Sequence, residues 1–180
     1  MNDAELLKRI AGGDETAFLV LYRRHCDAVH RFAWVILRSE ADAEEVAQEC
    51  FLTLAQRAAS FRPERAQLRT WLLGITRNLC YRRGRHRIQE DAEAAEPAEA
   101  PEIEAAMIRN QTADAVRKAV MELPKAQREA IVLFELEELS LAETAEVLGI
   151  EANAVKARLY RGRELLKKLL APSVCERKTV

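Results

Sequence analysis

Residues 91–105, DAEAAEPAEAPEIEA, divide this chain before any secondary structure is considered. The stretch alternates acids with alanines, carries two prolines and has no large aromatic side chain. It cannot bury enough apolar area to offset the entropy of ordering it, so we read it as a flexible acidic linker. Residues 1–90 and 106–180 are then two small domains, each with its own apolar core. Ala, Leu, Glu and Arg dominate both, while six Gly and five Pro punctuate the chain. Those dominant residues lose little side-chain freedom in a helix, and the expected fold class is all-α.

Apolar spacing supports this. After Gly13, Asp14 is a candidate N-cap for a helix carrying Phe18, Leu21, Tyr22, Val29, Phe32, Ala33 and Ile36. A break at Arg38-Ser39-Glu40 precedes Asp42, whose spacing to Glu45 suggests a capping box with Asp42 as the cap. The next helix places Val46, Ala47, Cys50, Phe51 and Leu54 on one face, and Phe61-Arg62-Pro63 ends it. A third presents Leu68, Trp71, Leu72, Ile75 and Leu79 as a stripe. In the second domain a helical pattern over 105–123 ends at Leu123-Pro124, and another helix is expected over 126–138. Ala145, Gly149 and Val155 then have the spacing of a helix-turn-helix: a small residue for close approach, a glycine for the turn, an apolar residue to seat the second helix.

A formal net charge of −1 conceals strong segregation. From Arg65 to Gln89 there are seven Arg and no acid; from Glu90 to Glu104, seven acids and no base; from Ala152 to Ala171, six Lys or Arg against Glu164 alone. Separate surfaces for separate partners are implied. On the last helix Val155, Leu159, Gly162 and Leu166 must face the core, which turns Asn153, Lys156, Ala157, Tyr160 and Arg161 outward. An amide, cations, a small residue and an aromatic suit a DNA major groove, where Lys and Arg reach guanine and Asn reaches adenine. Arg158 falls at the core edge. In the first domain Arg65, Arg69, Arg77, Arg82, Arg83, Arg85 and Arg87 surround an apolar helix that also carries Trp71 and Tyr81. Cations beside stacking aromatics are the ingredients of single-strand binding, with Trp71 assigned to the core and Tyr81, opposite the stripe, to stacking.

Other classes fit poorly. No apolar run approaches the roughly 20 residues that span a bilayer. The start, MNDAELLKRIAGGDE, lacks the basic-then-apolar order of a signal peptide, and the expected location is cytoplasmic. Cys26, Cys50, Cys80 and Cys175 form no CxxC pair, and His25, Cys26 and His30 lack the spacing of a ligand set, so no metal or other cofactor is expected. No GxSxG, P-loop, HExxH or Rossmann glycine pattern is present, and the chain is not expected to be an enzyme.

Three segments carry a family resemblance. DAEEVAQECFLTL resembles the polymerase-binding helix of RNA polymerase sigma factors, and LRTWLLGITRN the helix that melts and reads the minus-ten box. LPKAQREAIVLFELEELSLAETAEVLGIEANAVKARLYRGRELL is similar to the domain that reads the minus-thirty-five box. Their order and the short linker match the extracytoplasmic-function group. The resemblance implies that Asp42, Glu45, Gln48 and Glu49 face the clamp helices of the polymerase largest subunit. It puts Arg62, Arg65 and Gln67 in a loop, 61–67, that captures a flipped base. Arg69, Arg77, Asn78, Arg82 and Arg83 would line the melted strand, beside the stacking candidate Tyr81, and the outward face already read on the last helix, Asn153, Lys156, Ala157, Tyr160 and Arg161, would meet the upstream duplex. It also implies an anti-sigma partner. Two positions depart from the family pattern: Glu151 where Ser or Thr commonly caps the recognition helix, and Phe134 where some members carry a DNA-contacting Arg. A self-sufficient helix-turn-helix regulator is the rival reading, and it leaves the acidic helix and the arginine-rich one without a purpose.

Overall fold

A computed structural model describes residues 1–93 and 111–175, with side chains placed for 1–85 and 113–171. Among the described residues the chain is helical and forms two compact units. The linker reading lies largely outside them.

The first unit is built from α1 (Asp3–Ala11), α2 (Glu15–Leu37), α3 (Glu40–Arg57) and α4 (Leu68–Glu93). Asn2 and Glu5 close a capping box on α1, and the Asp14 side chain caps α2 by accepting from the Ala17 N–H at 3.0 Å. Helix α2 stops where Arg38 turns left-handed at φ 56°. Ser39, not Asp42, then caps α3: its Oγ accepts from the Asp42 N–H at 3.3 Å. Asp42 therefore sits inside the first turn of α3, where its charge favours the positive end of the helix dipole.

Ala43, Val46, Ala47, Cys50, Phe51 and Leu54 are all buried, giving α3 one continuous stripe against α2 and α4. Each fully buried Leu or Phe contributes about 1.5–3 kcal/mol, so this stripe sets how α3 is rotated. On α4 the buried set is Leu68, Thr70, Leu72, Leu73, Thr76, Leu79 and Cys80, whereas Trp71 and Ile75 are only half-buried. The expected stripe was displaced because α4 packs on two helices at once and needs a wider apolar arc. Trp71 instead meets Phe61 edge-on to tilted, with ring centres 5.3 Å apart. Tyr22, expected inside, lies partly exposed over Phe51, with centres 4.7 Å apart.

Helix α1 is held on α2 by Asp3, which takes the Arg24 guanidinium and receives His25 Nε2 at 2.9 Å. His25 is only 7% exposed. Burial pushes its pKa below the usual 6.5, against the opposing pull of Asp3, and the Arg24 and Arg69 cations push the same way as burial.

The second unit contains α5 (Gln111–Glu122), α6 (Lys125–Ile131) and α8 (Ala152–Cys175), with α7 (Leu141–Leu148) before the turn. The helix expected over 126–138 is shorter. It passes into a π-helical turn, Val132–Leu136, and Glu138 is left-handed at φ 53°. The inserted residue lets Val132 and Leu133 stay buried while Glu137 also turns inward. Buried Arg128 donates to the carbonyls of Met121 and Leu123, closing the open end of α5.

Ser140 and Glu143 form a capping box at the start of α7, and Gly149 makes the turn at φ +64°. The Glu151 carbonyl begins α8 by accepting from Ala154 and Val155. Gly162 is where α8 crosses α6: a Cβ there would lie 2.9 Å from Ile131 Cγ1.

Two stability outcomes follow. Gly162→Ala should cost about 1 kcal/mol net, since overpacking by about 1–3 kcal/mol exceeds the ~1 kcal/mol helix gain. Gly84→Ala, with nothing within 4 Å of the new Cβ, should gain about 0.5–1 kcal/mol. Denaturation followed by circular dichroism compares them, and equal shifts would contradict the close crossing. The second outcome concerns pH. Trp34 and Trp71, the two tryptophans, both lie in the first unit and report its unfolding separately. Because folding depresses the His25 pKa, its contribution is complete above 6.5 and is lost as pH falls towards the folded value. His25→Gln should flatten that slope. A wild-type unit that gains stability on acidification would show that Asp3 dominates instead.

Candidate nucleic-acid and polymerase interfaces

Because the apolar stripe of α3 faces inward, Glu44, Glu45, Gln48 and Glu49 form an exposed ridge. Leu52 continues that ridge one turn on and is 61% exposed. It was missed as a candidate because an apolar residue beside Phe51 reads as core; its spacing from Gln48 and Glu49 carries the signal. Asp42, at the head of the ridge, has a side chain only 16% exposed.

The ridge does not stand apart from the arginines of α4. Arg83 Nε donates to Asp42 Oδ1 at 2.6 Å, and its Nη1 lies 2.6 Å from Glu45 Oε2. Arg82 pairs with Glu49. The Asp42 hydrogen bond, then that of Glu45, raises the Arg83 pKa against the opposing effect of burial. Two cations read as strand contacts are thus paired with three acids read as polymerase contacts. Composition places these groups on separate surfaces, but the packing of α3 on α4 brings them onto one.

The other candidates of this unit spread over α4 and the loop before it. Arg77 stacks its guanidinium on Tyr81, 4.5 Å from the ring centre, and Asn78 is exposed beside them. Arg69 is half-buried at the start of α4, near enough to His25 to act on its charge. In the loop, the Arg65 N–H donates to the Arg62 carbonyl at 3.0 Å, a turn with Pro63 at its second position. Arg62, Arg65 and Gln67 are exposed on it. Phe61, Arg62, Pro63 and Glu64 form one wall of a cleft of about 390 Å³, faced by Ala4, Leu7, Lys8 and Ala11 of α1, with Ala58 and Ala59 between. That volume lies in the range of small-ligand sites. Sequence reasoning supplied the loop wall but not α1, which becomes part of the cleft only through its seat on α2.

In the second unit Val155, Leu159 and Gly162 are buried and Leu166 is half-buried. Asn153, Lys156, Ala157, Tyr160 and Arg161 are all exposed on the opposite side of α8. Tyr160 is 68% exposed, and Arg161 Nε donates back to the Ala157 carbonyl at 3.2 Å. Arg163 bonds Glu135 through two nitrogens at 2.8 and 2.5 Å and lies over the Phe134 ring. A cation therefore reaches the Phe134 position from α8.

Among the described residues Cys26, Cys50 and Cys80 are free thiols. Burial pushes the Cys50 thiol up to about 11, despite a hydrogen bond from Thr76. Cys26 is also raised, by burial and then by Asp27. Both stay protonated near neutral pH. His25 and Cys26 do not converge on a ligand set, although His30, Glu40 and Glu44 bring ligand atoms within 4.8 Å of one another on an exposed surface. No described helix is long and apolar enough to cross a membrane.

Two family models match the chain: sigma-70 region 2 over residues 21–88 and sigma-70 region 4 over residues 113–166. Among curated relatives, the chain is 36% identical over 169 residues to the ECF RNA polymerase sigma factor SigM of Mycobacterium tuberculosis, covering 94% of this chain and 85% of that one. It is 31% identical over 177 residues to the ECF RNA polymerase sigma factor SigW of Bacillus subtilis, covering 91% and 94%. Among solved structures it is similar to the sigma factor RpoE of Bartonella quintana, solved with the anti-sigma factor NepR. That match has a TM-score of 0.76 and 26% identity over 86% of this chain and 96% of that one. It is also similar to CnrH, solved with the cytosolic domain of CnrY, at a TM-score of 0.67 and 28% identity over 94% and 97%. Two matched regions, with relatives that span nearly the whole length, make this chain a member of the extracytoplasmic-function group of RNA polymerase sigma factors, which bind core polymerase and promoter DNA to begin transcription.

Proposed function

We propose a specific division of labour for promoter-directed initiation by this chain. The carrying observation is that burial of α3 and α8 on their apolar faces leaves an acidic ridge on one and a cationic, aromatic face on the other. Residues 1–90 engage polymerase and the minus-ten region, and residues 106–180 read the minus-thirty-five box.

Asp42, Glu45, Gln48 and Glu49, extended by Leu52, dock on a basic helical element of the polymerase largest subunit. A carboxylate ridge suits such a partner and repels phosphates, while Leu52 supplies apolar contact at its end. The cleft between α1 and the 61–67 loop receives a base displaced from the duplex, with Arg62 in its wall and Arg65 and Gln67 exposed on the same loop. Arg69, Arg77, Asn78, Tyr81, Arg82 and Arg83 follow the melted strand, Tyr81 stacking on a base while cations track phosphates. Asn153, Lys156, Ala157, Tyr160 and Arg161 enter the major groove upstream.

An anti-sigma factor controls the chain. RpoE and CnrH, which share this fold, were each solved with a protein partner, and one of those partners is named an anti-sigma factor. The chain works in the cytoplasm, where polymerase acts, and conducts no catalysis of its own.

Run-off transcription with bacterial core polymerase tests the assignment. The chain should direct initiation at promoters that core alone ignores. Glu45→Lys with Gln48→Ala should abolish this, whereas Lys156→Ala or Arg161→Ala should weaken upstream recognition by about 1–3 kcal/mol if a base edge is contacted. Full initiation by the Glu45/Gln48 variant would remove the ridge from the mechanism.

A further inference from the structure

The acids of α3 have a second role that polymerase docking alone does not require. Asp42, Glu45 and Glu49 are satisfied within the chain, by Arg83 and Arg82 of α4. The pairs join residues 41, 38 and 33 positions apart, so they report the packing of two helices rather than local habit. We infer that these contacts form an electrostatic latch. In the free chain the ridge acids hold Arg82 and Arg83 away from single-stranded nucleic acid, and a basic partner that takes the acids releases the arginines.

The latch rests on the residue roles proposed above and on ordinary electrostatics. A phosphate approaching Arg83 meets two carboxylates already within 2.6 Å of its guanidinium. Those carboxylates repel the phosphate and cancel the cation that would otherwise displace a counterion. Glu49 does the same at Arg82. A basic helix docking on the ridge offers the acids new cations and removes that repulsion, so docking strengthens strand binding. By reciprocity, a bound strand strengthens docking by the same factor. The pairs are partly exposed, so each is worth little alone and can be exchanged without unfolding anything. That suits a contact meant to open. Of the other strand candidates, Arg77 rests on the Tyr81 ring and Asn78 carries no charge.

Glu45→Gln/Glu49→Gln in the full chain tests the latch, because it removes one acid from each arginine and leaves Asp42 in the first turn of α3. Glu40→Gln/Glu44→Gln is the control. It removes the same charge from the same helix, at residues whose described cross-helix neighbour is His30 rather than either arginine. Fluorescence anisotropy with a labelled single-stranded oligothymidine is measured across a salt series. The latch predicts that the test variant binds about fivefold more tightly than the control, the size of two exposed ion pairs. Its salt slope should steepen by up to about 1.4, at 0.7 per released arginine on a single strand. Equal affinity and slope in the two variants, or weaker binding by the test variant, would overturn the latch; weaker binding would mean that the acids pre-position the arginines. Wild-type binding to core polymerase, measured in parallel, isolates the underlying reading. A chain that fails to bind core loses the ridge as a docking surface, whereas one that binds core and shows no oligothymidine gain loses only the latch.

Discussion

Burial of a single stripe of α3 governs most of what the first unit can do. Val46, Ala47, Cys50, Phe51 and Leu54 are taken out of water together by α2 and α4. At 3.6 residues per turn this leaves Glu45, Gln48, Glu49 and Leu52 no place but the surface. The same packing brings the arginine-bearing turn of α4 alongside the head of α3, which is why Arg83 reaches both Asp42 and Glu45. The acidic ridge of α3 and the arginines of α4 are therefore one mechanical unit. A change that rotated α3 would disturb both.

The second unit follows the same logic with a different device. Gly162 allows α8 to lie against Ile131 without a side chain between them, and Arg163 ties α8 to the π-helical turn through Glu135. Together they fix the rotation of α8 about its own axis. Val155 and Leu159 then face inward, and Asn153, Lys156, Ala157, Tyr160 and Arg161 are presented to solvent on the other side. A groove-reading helix has to be rigid in this respect, since a base-edge contact tolerates little misplacement.

Features governed by helical period were legible in the sequence. The α3 stripe, the exposed face of α8 and the turn at Gly149 all follow from spacing, because a helix has only one way to bury a given stripe. Features governed by how helices meet were not. Nothing local distinguishes Arg83, paired with acids 38 and 41 residues earlier, from Arg77 stacked on Tyr81. The π-helical turn was hidden because Val132 and Leu133 also fit an unbroken α-helix, and only the inward turn of Glu137 requires the extra residue. Ser39 could have been found: it directly precedes the helix, but the Asp42–Glu45 spacing offered a competing capping box one turn later. Leu52 was legible too, once the α3 stripe was assigned and the remaining face read as a surface.

Site-specific photocrosslinking in an assembled promoter complex tests the division of surfaces most directly. A benzophenone side chain would replace Leu52, Tyr81 or Ala157, one at a time, in the full chain bound to core polymerase and melted promoter DNA. The account predicts that the Leu52 position labels the largest polymerase subunit, the Tyr81 position the single-stranded minus-ten region, and the Ala157 position the upstream duplex. Labelling of DNA from Leu52, or of polymerase alone from Tyr81, would contradict it.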